Sequence, residues 1–147
     1  MPSTIRLHRV LRAPPEKVYR AFTDGDAMAK WIAPHGFVCK VHAFDAKVGG
    51  SFRMSFMNFT TQKAESFGGT FLELQPNARL RYNDVFDDPN LPGEMIVTVE
   101  LTPAFCGCEL HITQEGVPDV IPPAACYLGW QDSLLQLANL VEPNIDQ

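Results

Sequence analysis

In "TIRLHRVL", residues 4–11, apolar and polar positions alternate, with Ile5 and Leu7 in one phase, which predicts a first strand. The period then lengthens. In "APPEKVYRAFTD", Pro14 and Pro15 open a helix, Val18, Ala21 and Phe22 make its apolar side, and "TDGD" ends it. "AMAKWI" predicts a second short helix, closed by "APHG". Six strands follow: "FVCKVHAFD", "GSFRMSFMNF", "AESFGGTFLEL", "RLRYNDVF", "EMIVTVEL" and "CELHITQE". The breaks between them are turn-formers, such as "KVGG", "TTQK", "QPNA" and "DDPNLPG". After "GVPDVIPP", the stretch "ACYLGWQDSLLQLANLVEP" at 125–143 predicts one long helix. At about 100° per residue, Tyr127, Trp130, Leu134, Leu137 and Val141 fall on one side, and Gly129, Asp132, Ser133, Gln136 and Asn139 on the other.

Strands joined only by short turns pair antiparallel, because parallel neighbours need long crossovers. Such a sheet can leave one face in water, while its apolar face needs a cover. Phe52, Met54 and Phe56 share a phase, as do Val97, Val99 and Leu101, and Cys108, Leu110 and Ile112. The final helix is the one element long and apolar enough to cover them. Glycines in "VGG" and "FGG" would let a strongly twisted sheet bend around it. The predicted class is α+β: a seven-stranded curved antiparallel sheet wrapped around a long C-terminal helix, with two short helices after the first strand. No repeat, low-complexity tract or linker interrupts the chain, so residues 1–147 are expected to form a single domain.

The segments "AFTDGDAMAKWIAPHGF", "DAKVGGSFRM", "FGGTFLELQPNARLRY" and "CYLGWQDSLLQLANLVE" occur in an order that carries a family resemblance over nearly the whole chain. On these motifs the chain is identified as a member of the START/Bet v 1-type (SRPBCC) superfamily. Within it, the chain resembles homologues of the activator of heat-shock protein 90 ATPase. The resemblance implies the helix-grip fold and an internal cavity between sheet and long helix, used across the superfamily for hydrophobic ligands. It does not imply a common reaction.

Composition narrows the function further. Apolar content of 46% with 20% charged residues is that of a globular protein. No apolar run approaches a membrane span, and "MPSTIRLHRV" lacks a signal peptide's apolar core, so a cytoplasmic protein without a transmembrane segment is expected. Cys39, Cys106, Cys108 and Cys126 are then expected as reduced thiols, and the acceptor pattern "NFT" at Asn58 carries no meaning. All 12 Lys and Arg lie at or before Arg81, whereas 11 of the 17 acids lie beyond it. A net acidic chain with a base-free second half is a poor binder of nucleic acid. The early bases Arg6, Arg9, Arg12, Lys17 and Arg20 read as a solvated strand face and helix rather than a phosphate patch.

Candidate chemistry is sparse. Cys106, Cys108 and His111 have zinc-ligand side chains, but alternation turns Cys108 inward and His111 outward, and no second pair completes four ligands. "DVFDDPN" offers Asp84, Asp87 and Asp88 without the glycine and terminal glutamate of a calcium loop. No metal or cofactor is expected. No nucleophile elbow, HExxH, phosphate loop or dinucleotide fingerprint is present. Arg53 opposes the phase of Phe52 and Met54 and should point outward, whereas Asp84 shares the inward phase of Leu80, Tyr82 and Phe86.

The expected cavity wall is Phe52, Met54, Phe56, Phe71, Tyr82 and Val97 from the sheet. Tyr127, Trp130 and Leu134 come from the helix, and Trp31 stands near the mouth. His35, in the loop where the small helices close the cavity, and Asp84 are candidate polar anchors. The favoured reading is a binding or carrier protein for a small hydrophobic or amphipathic ligand. The alternative is a cyclase- or hydratase-like enzyme acting on a polycyclic or polyketide-like compound, with Asp84, His35 or Tyr127 as acid–base groups. A chaperone-associated interaction domain is a third reading, and a homodimer is compatible with all three.

Overall fold

A computed structural model describes residues 2–147. Strand β1 (Ser3–Leu11) buries Ile5, Leu7 and Leu11 and turns Thr4, Arg6, His8 and Val10 outward. Helix α1 (Pro15–Thr23) starts on a proline whose missing N–H costs nothing there, and buries Val18, Ala21 and Phe22. Asp24 then ends α1 and caps α2 (Gly25–Trp31): its Oδ1 accepts from the Asp26 and Ala27 amides at 2.9 and 3.2 Å. That cap starts α2 two residues earlier than its apolar residues alone suggest.

Strands β2 (Phe37–Phe44), β3 (Ser51–Asn58), β4 (Ala64–Gln75), β5 (Arg79–Phe86), β6 (Met95–Ala104) and β7 (Gly107–Val117) form an antiparallel meander. Strand β1 closes on β7, so the seven-stranded order is β1-β7-β6-β5-β4-β3-β2. The curved sheet wraps α3 (Pro123–Val141) in the helix-grip arrangement. Register shifts fall within β1, β2 and β4, where bulges increase local twist. One bend needs glycine outright: a Cβ on Gly69 would lie 1.9 Å from the Asn83 carbonyl oxygen. Asn83 also completes the interrupted β4–β5 ladder with its side chain, accepting from the Thr70 amide at 2.6 Å.

The concave face carries the core, including Phe71, Leu80, Val97, Val99, Leu110 and Ile112. The convex face mixes polar side chains with exposed apolar ones such as Val10 and Val85. Arg53 points outward, as its phase predicts, and pairs with Asp87. Among the described residues no helix is long and apolar enough to cross a membrane.

Helix α3 departs from its predicted orientation. Its buried residues are Trp130, Ser133, Leu134, Leu137 and Val141, whereas Tyr127 is 38% exposed. The side expected to be solvated instead docks the α2–β2 loop. Ser133 donates to the Ile32 carbonyl at 2.6 Å, and Gln136 donates to the carbonyls of Trp31 and Ala33 at 2.8 and 2.6 Å. Helix α3 is thus held on two faces, by apolar contact with the sheet and by hydrogen bonds to a loop whose carbonyls would otherwise lack partners.

Candidate functional site

Between α3 and the concave face lies a pocket of about 180 Å³. Strands β3 to β5 contribute Phe52, Phe56, Phe67, Tyr82, Asp84 and Phe86; β6 and β7 contribute Met95, Val97 and Gln114. Helix α3 supplies Cys126, Gly129, Trp130 and Ser133, and the clasped loop supplies Ile32 and Pro34. The rings pack edge to face: Phe52 and Tyr82 have centroids 5.5 Å apart at 88°, and Phe56 and Phe67 are 4.8 Å apart at 78°. Such contacts favour ring edges against ring faces and hold the walls in place.

Of the residues anticipated as lining, Phe52, Phe56, Tyr82, Val97, Trp130 and Asp84 border this space. Met54, Phe71 and Leu134 are buried but do not reach it. Three expected positions are corrected. Trp31 is fully enclosed rather than at a mouth: its Nε1 donates to the Ala21 carbonyl at 2.9 Å and its ring meets Phe22 edge-on at 4.7 Å. Tyr127 lies on the exposed side of α3, because the loop clasp rotates the helix toward Ser133. His35 is exposed outside the pocket, where its backbone amide and Nδ1 face Asp132 at 3.3 and 3.4 Å.

Two polar features dominate the interior. Gln114, 7% exposed, joins three elements: its Oε1 accepts from Trp130 Nε1 at 2.8 Å and from the Cys126 thiol at 3.3 Å, and its Nε2 faces Met95 Sδ at 3.3 Å. This residue was overlooked, although it occupies the apolar phase of β7 with Cys108, Leu110 and Ile112, and that misplaced polarity was a readable signal. Cys126 and Ser133 carried no such signal, since their roles depend on how α3 is rotated.

Asp84 is the second feature. It keeps a little accessible surface because it borders the pocket, yet its Oδ1 is buried with no hydrogen-bond partner. Burial pushes its pKa up to about 7, against an opposing pull from the Val85 backbone amide. Burial likewise raises the pKa of Tyr82, with Asp84 adding to the effect, and that of Cys126. Asp84 is consequently the pocket's one group that titrates near neutrality.

Outside the pocket, the convex face gathers His8, Glu109 and His111, whose ligand-type atoms lie within 4.8 Å of one another. The two imidazoles stack at 4.5 Å and His8 Nε2 meets Glu109 Oε1 at 2.7 Å. Cys108 is buried and Cys106 exposed, so the pair with His111 does not converge.

The fold is the helix grip of the SRPBCC superfamily. The chain belongs to the family described as Activator of Hsp90 ATPase homolog 1-like protein, whose sequence model matches residues 12–142. A crystal structure of a protein from Chromobacterium violaceum is similar at 61% identity and a TM-score of 0.96, over 98% of this chain and 100% of that one. The solution structure of an AHSA1-like protein from Aeromonas hydrophila is similar at 25% identity and a TM-score of 0.77, over 95% and 92% of the two chains. An AHSA1 protein from Silicibacter pomeroyi shares the fold at 20% identity, with a TM-score of 0.79 and coverage of 93% and 96%. No curated protein matches the chain.

Proposed function

We propose that the protein binds a small apolar or amphipathic molecule in the pocket between α3 and the sheet. The observation that carries this reading is an aromatic-walled space containing one unpartnered carboxyl oxygen. Close-packed cores leave few voids larger than a water molecule, and a buried unsatisfied polar atom costs about 1–3 kcal/mol. A protein that retains both in one place has a reason beyond folding to do so.

The volume bears on the ligand's size. Pockets for drug-sized compounds run to roughly 300–1,000 Å³. A space of about 180 Å³ suits a single ring or a short chain rather than a fused polycycle. The cyclase- or hydratase-like alternative loses support for this reason, and because His35 and Tyr127, two of its three acid–base candidates, lie outside the pocket. A chaperone-associated role rests on the family description alone.

Gly129 offers a direct test. It borders the pocket, and a Cβ built on it meets nothing within 4 Å. Gly129→Leu should place its side chain in that open space without disturbing the core. A small aromatic probe such as ethylbenzene should bind the unaltered protein saturably, read by Trp130 fluorescence, and the Leu variant should lose at least about tenfold in affinity. Equal binding to both proteins would move the site elsewhere.

A further inference from the structure

Resting on the reading of this pocket as a binding site, we infer that its ligand is a small hydrophobic amine, bound as a monocation with its ammonium group on Asp84 and its apolar part among the rings. Three independent features of the lining converge on positive charge.

The first is the carboxyl. Asp84 Oδ1 is buried and makes no hydrogen bond, so it presents an open acceptor to whatever enters. Gln114 and Ser133 do not compete for that role. Gln114 Oε1 is occupied by Trp130 and Cys126, and the Ser133 hydroxyl faces the carbonyls of Ile32 and Gly129.

The second is the absence of a counter-charge. The described lining contains no Lys, Arg or His. A carboxylate or phosphate ligand would meet no cation there and would face Asp84, whereas an ammonium would supply both the missing donor and the missing charge.

The third is the wall. Phe52, Phe56, Phe67, Tyr82, Phe86 and Trp130 all border the space. Aromatic faces attract cations, and clustered rings beside a carboxylate are a recurrent way of holding an ammonium. A neutral alcohol could satisfy Oδ1 with one hydrogen bond, but it would gain nothing from the ring faces or from the charge.

Binding should therefore be coupled to proton release. The other titratable groups of the lining are Tyr82, on Asp84's own strand, and Cys126, on α3; burial keeps both protonated. Met95, opposite Asp84 on β6, and Gln114 on β7 carry no charge. With Asp84 titrating at about 7, an amine that is itself charged throughout should gain affinity from about pH 5 to about pH 8, approaching a hundredfold.

Calorimetric titration with phenethylamine, phenethyl alcohol and ethylbenzene tests this, since the three share a ring and differ in the polar end. At about pH 8 the amine should bind at least about tenfold more tightly than the alcohol. That advantage should shrink toward about pH 5 and vanish in Asp84→Asn. An alcohol bound as tightly as the amine by the unaltered protein would overturn the inference while leaving the pocket reading intact, and this comparison does not depend on the variant folding. An amine advantage that persists in a folded Asp84→Asn protein would also overturn it. Binding of none of the three would remove the pocket reading itself.

Discussion

Asp84→Asn should make the protein more stable at alkaline pH and leave it nearly unchanged in acid. The folded protein holds the Asp84 proton up to about pH 7, whereas an unperturbed aspartate releases it at 3.8. Between these values the folded state binds more protons than the unfolded state, so unfolding free energy falls as pH rises through the window and levels off above it. At about 1.36 kcal/mol per pKa unit, the full difference is roughly 4 kcal/mol, and the residue's remaining solvent access screens part of it. The expected gain for Asn is thus roughly 2–4 kcal/mol at about pH 8, shrinking toward zero near pH 4. Asp87 works in the opposite sense, since its Arg53 partner holds its carboxyl below the usual range, but it is common to both proteins and cancels in the difference. Urea denaturation of both proteins at intervals across this range, compared at matched m values, measures the gap directly. Two stability curves that run parallel from acid to alkaline pH would refute a buried, ionisable Asp84.

The remaining expectations concern other parts of the pocket and sheet. Gln114→Leu should cost about 1–3 kcal/mol in chemical denaturation, because Trp130 Nε1 loses its acceptor. Gly69→Ala should destabilise markedly, since its Cβ would meet the Asn83 carbonyl at 1.9 Å, whereas Gly129→Ala should raise the melting temperature, as alanine is favoured over glycine by about 1 kcal/mol in a helix interior. Trp130→Ala should cost less than the roughly 3–5 kcal/mol of a fully packed indole, because part of its ring already faces the pocket; a larger loss would mark it as ordinary core.

Most strands were legible because one face of each is buried, and period-two alternation records that directly; in β2 the inner face is only half-buried. Leu80, Tyr82 and Asp84 show how far this extends: the phase of β5 alone turned a carboxylate toward the interior. Helix α3 was legible in extent but not in rotation. A hydrophobic stripe counts apolar residues, and Tyr127 outweighed Ser133 in that count. The deciding interactions run from Ser133 and Gln136 to the carbonyls of Ile32, Trp31 and Ala33, about a hundred residues away, and nothing local records them. Trp31 was misplaced for a related reason. Its position in a short helix suited a pocket mouth, whereas its packing on Phe22 and its bond to Ala21 belong to the α1–α2 pair. The resemblance to the superfamily supplied the idea of a cavity, and the identities of Gln114, Cys126 and Gly129 as its walls required the fold.

Methionine methyl resonances give the most direct test that this pocket takes up a small apolar molecule. Met95 borders the pocket, Met28 is buried in α2 and Met57 stands on β3, both outside the lining. On titration with ethylbenzene, the Met95 methyl signal should shift saturably while those of Met28 and Met57 stay in place. A Met95 signal that does not move at saturating probe, or shifts that are larger at Met28 or Met57, would contradict binding between α3 and the sheet.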